Sequence, residues 1–209
     1  MTHRRVRLGA SVAVAVLKDI QAEPEHIVQL GVGGGEEIAI LQQAFPKAQF
    51  TGIDPDQDAA RLWQGKYPGE YIRAAIAEKH GTFTYFRSAR DWRFRRPVPA
   101  KSQYRLPCVS LDGLLEAQGT KAQSTFGSKV LLWADCEGGE LAALRGGKKF
   151  MESVQWSWME TTDAPEFADW PDSQQVIDAM SDLGFRAWFR SGYYFPPRWS
   201  GDTLFCRRD

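Results

Sequence analysis

An apolar strand that runs straight into a glycine turn constrains this chain more than any other feature. Ile27-Val28-Gln29-Leu30 leads directly into Gly31, with Gly33, Gly34 and Gly35 close behind. An amphipathic segment follows, with Ile38, Ile40, Leu41 and Phe45 at mostly helical spacing. Strand, glycine turn and helix N-terminus form the ligand cradle of doubly wound α/β proteins. Glycine admits positive φ and lets the backbone approach a ligand with no Cβ between them. A second strand, Phe50-Thr51-Gly52-Ile53, ends in Asp54, 19 residues past Gly35. A carboxylate at that strand tip accepts hydrogen bonds from both hydroxyls of a ribose. A tight turn with no ligand accounts for the glycines alone, and less well once Asp54 is included.

The glycine spacing bears on which nucleoside is bound. Dinucleotide sites favour G-x-G-x-x-G, with a pyrophosphate at the helix N-terminus. Counting from Gly31, the third position here is Glu36, and Glu37 follows. Two carboxylates in the first turn suit the helix dipole but repel a pyrophosphate. The observed G-x-G-x-G resembles instead the S-adenosylmethionine loop of class I methyltransferases, whose ligand carries no phosphate.

With 209 residues, 43% of them hydrophobic, the chain can bury one full core. We expect a Rossmann-like domain over residues 26–209 and a helical extension over 1–25. Lys plus Arg and Asp plus Glu both number 26. The zero net charge argues against bulk nucleic-acid binding. The basic Met1 to Arg7 and the small, apolar Ala10 to Leu17 superficially resemble a signal peptide, but Lys18-Asp19 interrupts the stretch without a good cleavage site. A short helix near Ser11 to Gln21, broken by Pro24, is expected instead. No run approaches the roughly 20 apolar residues that span a bilayer. Cys108, Cys136 and Cys206 are scattered and odd in number, so the reading is reduced thiols and a cytoplasmic location.

Strands and helices alternate, which predicts a mostly parallel sheet with helices on both faces. Strands are expected at 27–30, 49–53, 71–74, 82–86, 130–134 and 154–159. Helices are expected at 56–66, opened by Asp56, from Ser110 onward, and at 173–183, ended by Gly184. The last two strands, 185–190 and 203–207, are joined too closely for a crossover helix and should be antiparallel.

The continuous apolar strand Val130 to Ala134 ends in Asp135-Cys136-Glu137-Gly138-Gly139-Glu140. Ligands bind at the carboxyl ends of such strands, so Asp135 should face the same crevice as Asp54. These carboxylates can hold a divalent cation, act as a general base, or cap the next helix. For Glu140 capping is the preferred reading. For Asp135 and Glu137 it is the site, because carboxylates in such a crevice are costly unless used.

Val109-Ser110-Leu111-Asp112-Gly113-Leu114-Leu115, then Asp135 to Leu141 and Leu144-Arg145-Gly146, resemble the FkbM family of S-adenosylmethionine-dependent methyltransferases. Its "V-x-L-D-x-L", "D-V-E-G-x-E" and "L-x-G" segments occur here in order. Asp54-Pro55 is similar to the family's "E-P", Ala74-Ala75-Ile76 to its "A-A-hydrophobic" segment, and Trp158-Met159-Glu160 to its late strand ending in Glu. The resemblance implies the class I methyltransferase fold, a seven-stranded, mostly parallel sheet with an antiparallel C-terminal hairpin. It also implies O-methylation of a hydroxyl on a sugar, glycan or natural product. On this reading Gln29, Gly31, Gly33, Gly35, Asp54, Pro55, Ala74, Ala75 and Asp135 hold the cofactor. Asp135 or Glu137 serves as base or acceptor-orienting group, with Glu160 assisting, and no metal is assigned. Three positions depart from the pattern. Gln29 stands where an acidic residue often approaches the methionine amino group. Trp133 stands at a frequent lysine, and Cys136 replaces valine.

Two aromatic segments remain. Residues 87–107 carry Arg87, Arg90, Arg93, Arg95, Arg96, Lys101 and Arg105 among Trp92, Phe94 and Tyr104. Pro97, Pro99 and Pro107 argue for a loop. Such a loop can pair with an acidic acceptor through Arg93 and Arg95, or be a solvated insertion. Trp188, Phe189, Tyr193, Tyr194, Phe195 and Trp199 flank the last hairpin, and residues 191–200, with Tyr193 and Tyr194, can form an acceptor lid. His80 is expected to be a solvated loop residue. The competing functions are a dinucleotide-dependent oxidoreductase, disfavoured by Glu36, and a methyltransferase-like binding module without turnover.

Overall fold

In the computed structural model the described residues are 9–86, 103–117, 126–163, 165, 170–195 and 198–208. Helices α1 (Gly9–Asp19), α2 (Ile38–Ala44), α3 (Gln57–Trp63), α4 (Leu111–Ala117), α5 (Glu140–Arg145) and α6 (Ser173–Asp182) pack on ten strands. The strands are β1 (His26–Leu30), β2 (Gln49–Ile53), β3 (Glu70–Ile72), β4 (Ala75–Ile76) and β5 (Gly81–Phe86) in the first half. They continue with β6 (Gln103–Val109), β7 (Val130–Ala134), β8 (Val154–Thr162), β9 (Phe185–Phe195) and β10 (Arg198–Arg207).

The main sheet has seven strands in the order β3-β2-β1-β7-β8-β10-β9. β1 pairs in parallel with β2 and β7, β2 with β3, and β7 with β8, while β10 is antiparallel to both β8 and β9. This is the expected class I methyltransferase architecture. The order reverses between β1 and β7, which opens a crevice at their carboxyl ends.

The pleat sends alternate side chains to two core layers. Val28, Leu30, Leu132, Ala134 and Met159 pack with Leu111 of α4, Ala143 of α5 and Val176 and Met180 of α6. Ile27, Leu131, Trp133, Trp158 and Leu204 pack with Ala13 and Leu17 of α1 and Ile38 and Leu41 of α2. Leu17 is 0% exposed, so α1 is a structural layer over the sheet; one such leucine contributes about 1.5–3 kcal/mol.

Local signals place the helices. Asp56 accepts from the amides of Asp58 and Ala59 at 2.6 and 3.0 Å and opens α3. Asp172 and Gln175 form a reciprocal capping box at α6. The Ser110 hydroxyl accepts from the Gly113 amide at 3.1 Å, so it caps α4 as expected.

Two expectations need correction. Residues 103–107 are strand rather than loop, because β6 pairs with β4 and β5 in a separate three-stranded sheet. Pro107 pairs with Thr82 of β5 but has no β4 residue on its other side, where β4 reaches only Cys108 and Val109, so β6 is an edge on that side at the proline. The C-terminal hairpin is also longer than expected, with Tyr193 opposite Ser200 and Tyr194 opposite Trp199. Residues 191–200 are therefore mostly paired strand rather than a free loop. Arg93, Arg95 and Arg96 lie outside the described residues.

Candidate active site

The glycine turn sits where β1 meets β7. The Gly31 amide donates to the Ile53 carbonyl and the Asp135 amide to the Leu30 carbonyl, both at 2.9 Å. Gly31 has φ +78°, and a Cβ on it would lie 1.8 Å from the Asp135 carbonyl oxygen. Gly35 has the Trp63 ring against it, 2.1 Å from where a Cβ would stand. Gly33, at φ +49°, has nothing within 4 Å of that point. Packing alone therefore demands glycine at 31 and 35, while Gly33 borders open space.

Asp54 stands beside that opening. Its Oδ2 accepts from the Gly33 amide at 2.8 Å and its Oδ1 from the Asp56 amide at 2.6 Å. Burial pushes its carboxyl above the ordinary value, while the Gly33, Asp56 and Val32 amides pull the other way. Pro55, Ala74 and Ala75 are buried next to it, and the amides of Asp54 and Ala74 both donate to the Ile72 carbonyl at 3.1 Å. Among the described residues the buried Tyr71 hydroxyl finds no hydrogen-bond partner, and its acidity is lowered by burial and by the nearby Asp54 and Asp56. An opening at Gly33, a carboxylate with unused lone pairs and an apolar Ala74–Ala75 rim fit an S-adenosyl nucleoside.

A second set of carboxylates lies across the switch point. Asp135 follows Trp133 by two, Glu160 follows Trp158 by two, and Asp202 precedes Leu204 by two. All three therefore share the α1 side of the sheet, with Asp202 directly opposite Glu160 in register. Trp133 and Trp158 stack beneath them with centroids 5.7 Å apart and planes at 22°. The position of the family's frequent lysine is thus an aromatic floor. Glu137 holds φ +51°, a left-handed conformation costing about 1–3 kcal/mol that clusters at functional sites.

Glu140 corrects the helix-cap expectation. The N-cap of α5 is Gly139, which offers no side chain. The Glu140 carboxylate, 3% exposed, turns back to accept from the Cys136 amide at 3.2 Å and contacts the Cys136 thiol at 3.5 Å. Burial, opposed by those backbone bonds, pushes Glu140 up to about 7. Burial and then Asp135, Glu137, Glu140 and Asp202 push Glu160 up to about 9.

Both values exceed the ordinary 4.5, so the folded protein keeps protons that the unfolded chain has released. The resulting stability is fully present below pH 4.5 and is lost as pH rises through about 7 for Glu140 and about 9 for Glu160. Thermal melts should therefore show Tm falling from pH 7 to pH 9 in the wild type and falling less in Glu160→Gln. Parallel curves for the two proteins would contradict the cluster.

Some residues take partners or roles that the sequence reading did not name. Gln29, expected in the cofactor set, is 0% exposed and bonded to Glu37 and Tyr67. Trp63 donates from Nε1 to the Gly33 carbonyl at 3.1 Å. Its signal was a Trp63–Tyr67 pair at i, i+4 spacing just past Asp54, whose rings meet edge-on at 6.2 Å. Trp170 packs on Gly138, 2.5 Å from where a Cβ would stand, and no motif announced it. His80 is exposed as expected, yet its Nδ1 accepts from the Ser110 amide at 3.1 Å. Among the described residues, no group of three or more His, Cys, Asp or Glu side chains is arranged to hold a metal ion.

Solved methyltransferases share this fold. Magnesium protoporphyrin IX methyltransferase from Synechocystis PCC 6803, with bound S-adenosylmethionine, is similar at TM-score 0.53 and 14% identity, over 95% of this chain and 78% of that one. The 1,6-didemethyltoxoflavin-N1-methyltransferase of Burkholderia thailandensis, with S-adenosylhomocysteine, is similar at TM-score 0.52 and 10% identity, over 98% and 80%. The fold is that of the class I methyltransferases, and the family match makes the protein an S-adenosylmethionine-dependent methyltransferase. The Methyltransferase FkbM domain matches residues 4–187, and the chain belongs to that family. The 2-O-methyltransferase NoeI of Sinorhizobium fredii is 23% identical over 184 residues, 79% of this chain and 75% of that protein. Family membership removes the dinucleotide-dependent oxidoreductase alternative.

Proposed function

We propose that this enzyme methylates a hydroxyl of a sugar, glycan or natural product. The observation that carries the reading is the Asp135–Glu160–Asp202 row, across the β1/β7 crevice from Asp54 and the glycine turn. Its likeness to NoeI, named a 2-O-methyltransferase, supports hydroxyl chemistry. Carboxyl groups that hydrogen-bond hydroxyls suit a polyol acceptor.

Gly31, Gly33, Gly35, Asp54, Pro55, Ala74 and Ala75 hold the cofactor, which supplies when bound a methyl group on a sulfonium. The protein's own work is orientation and proton removal. Asp135 or Glu137 accepts the acceptor's hydroxyl proton and passes it to water. Glu160, protonated at neutral pH in the free protein, donates a hydrogen bond that holds the acceptor in line. Free Cys108, Cys136 and Cys206 suit a reducing, cytoplasmic setting. Among the described residues no helix is long and apolar enough to cross a membrane.

Turnover of S-adenosylmethionine against free sugars, oligosaccharides and phenolic hydroxyl compounds, with the product's methyl position assigned by NMR, tests the acceptor class. Transfer to a ring hydroxyl supports it. Transfer only to nitrogen or carbon overturns it, and cofactor binding with no turnover on any acceptor favours the binding-module alternative. Asp54→Ala tests the cofactor placement by titration calorimetry. Loss of a charged hydrogen bond of about 1.5–3 kcal/mol should raise the cofactor Kd roughly tenfold or more. An unchanged Kd would put the cofactor elsewhere.

A further inference from the structure

We infer that Gln29, Glu37 and Tyr67 form a buried strap that sets the glycine turn for the cofactor, with Glu37 as its charged positioning residue. The turn from Gly31 to Gly35 has almost no side chains with which to hold its own shape. Its two flanks are joined instead by Gln29 Nε2, which donates to Glu37 Oε1 at 2.6 Å. The Tyr67 hydroxyl donates to Gln29 Oε1 at 3.2 Å, so both ends of that amide are engaged. Gln29, Glu37 and Tyr67 are 0%, 4% and 7% exposed, so the network is enclosed by the protein.

The strap also reaches the second ligand-facing strand. Gln29 is the register partner of Gly52, two residues before Asp54. The Tyr67 ring occupies the space that a Cβ on Gly52 would take, 2.6 Å from its Cζ. One network therefore fixes the end of β1, the end of β2 and the start of α2, the three pieces that frame the opening at Gly33. A carboxylate buried to this degree is costly unless charge-assisted bonds compensate it. An apolar pair would fill the same space without that cost, but it would not define the distance between the flanks of the turn.

The inference rests on the cofactor lying at this turn, which Asp54→Ala tests separately. Cofactor Kd, cofactor KM, kcat and Tm are to be measured for Glu37→Ala, Tyr67→Phe, Gln29→Glu and the swap Gln29→Glu with Glu37→Gln. Glu37→Ala should raise the S-adenosylmethionine Kd roughly tenfold to a hundredfold. Its KM should rise with little change in kcat. Tyr67→Phe, which removes only the hydroxyl, should raise Kd by a smaller factor. Gln29→Glu sets two carboxyl groups face to face, and only one of them can ionise easily. Its cofactor affinity should fall as pH rises from 6 to 9. The swap restores one donor facing one acceptor and should return both the affinity and a flat pH profile, even if Glu37→Ala fails to fold. Wild-type Kd in Glu37→Ala alongside a lowered Tm would reduce the strap to a structural role and overturn the inference. A swap as weak as Gln29→Glu alone would do the same.

Discussion

Gly31→Ala should abolish measurable S-adenosylmethionine binding and lower Tm by roughly 10 °C, whereas Gly33→Ala should abolish binding with only a small loss of Tm. At position 31 the new Cβ would stand 1.8 Å from the Asp135 carbonyl oxygen at φ +78°. Relief requires β1 and β7 to part at their carboxyl ends, which breaks the bond from the Asp135 amide to the Leu30 carbonyl. Left-handed strain of about 1–3 kcal/mol adds to that loss. Each kcal/mol corresponds to roughly 2–4 °C in a chain of this length. At Gly33 the strain is similar in kind, but no atom of the described residues lies within 4 Å of the added Cβ. The cost there falls on whatever occupies the opening. Calorimetric titration and thermal melts on both variants separate the two effects. Wild-type cofactor affinity in Gly33→Ala would show that the opening is not the cradle.

Asp135→Asn should keep cofactor affinity within a few-fold of wild type and lower turnover by roughly 10²–10⁴ if Asp135 is the base. The substitution leaves the backbone bond to Leu30 in place and removes only the charge facing the Glu160 side of the crevice. It should also ease Glu160 toward ordinary acidity, because Asp135 is the largest charge holding that group protonated. The alkaline limb of the residual kcat profile, where Glu160 loses its proton, should accordingly move to lower pH. A loss of cofactor binding as large as the loss of turnover would move Asp135 into the cofactor set. Turnover within tenfold of wild type would pass the base role to Glu137.

The legible parts of this protein were those set by short-range chemistry. A five-residue apolar run can satisfy a buried strand only when both faces are covered, and β1 and β7 are buried at every position. Gly31 and Asp54 were readable because a turn and a strand tip each demand one residue type locally. Asp56, Ser110 and Gly184 marked helix ends for the same reason. Pro107 misled because it pairs with Thr82 of β5 on one side while its other side is left open by β4, a placement set by strands far earlier in the chain.

The sequence by itself determined the alternation of strands and helices, the cradle and the carboxylate-bearing strand end, because each is a property of a few adjacent residues. Tertiary structure alone decided which of those residues face one another. Glu160 meets Asp202 through antiparallel register, and Trp133 finds Trp158 across a parallel pair. Gln29 meets Glu37 and Tyr67, which engage both ends of its amide. Such partners lie 8 to 42 residues apart in the chain, a separation that no local pattern encodes and only the closed sheet brings within hydrogen-bonding distance.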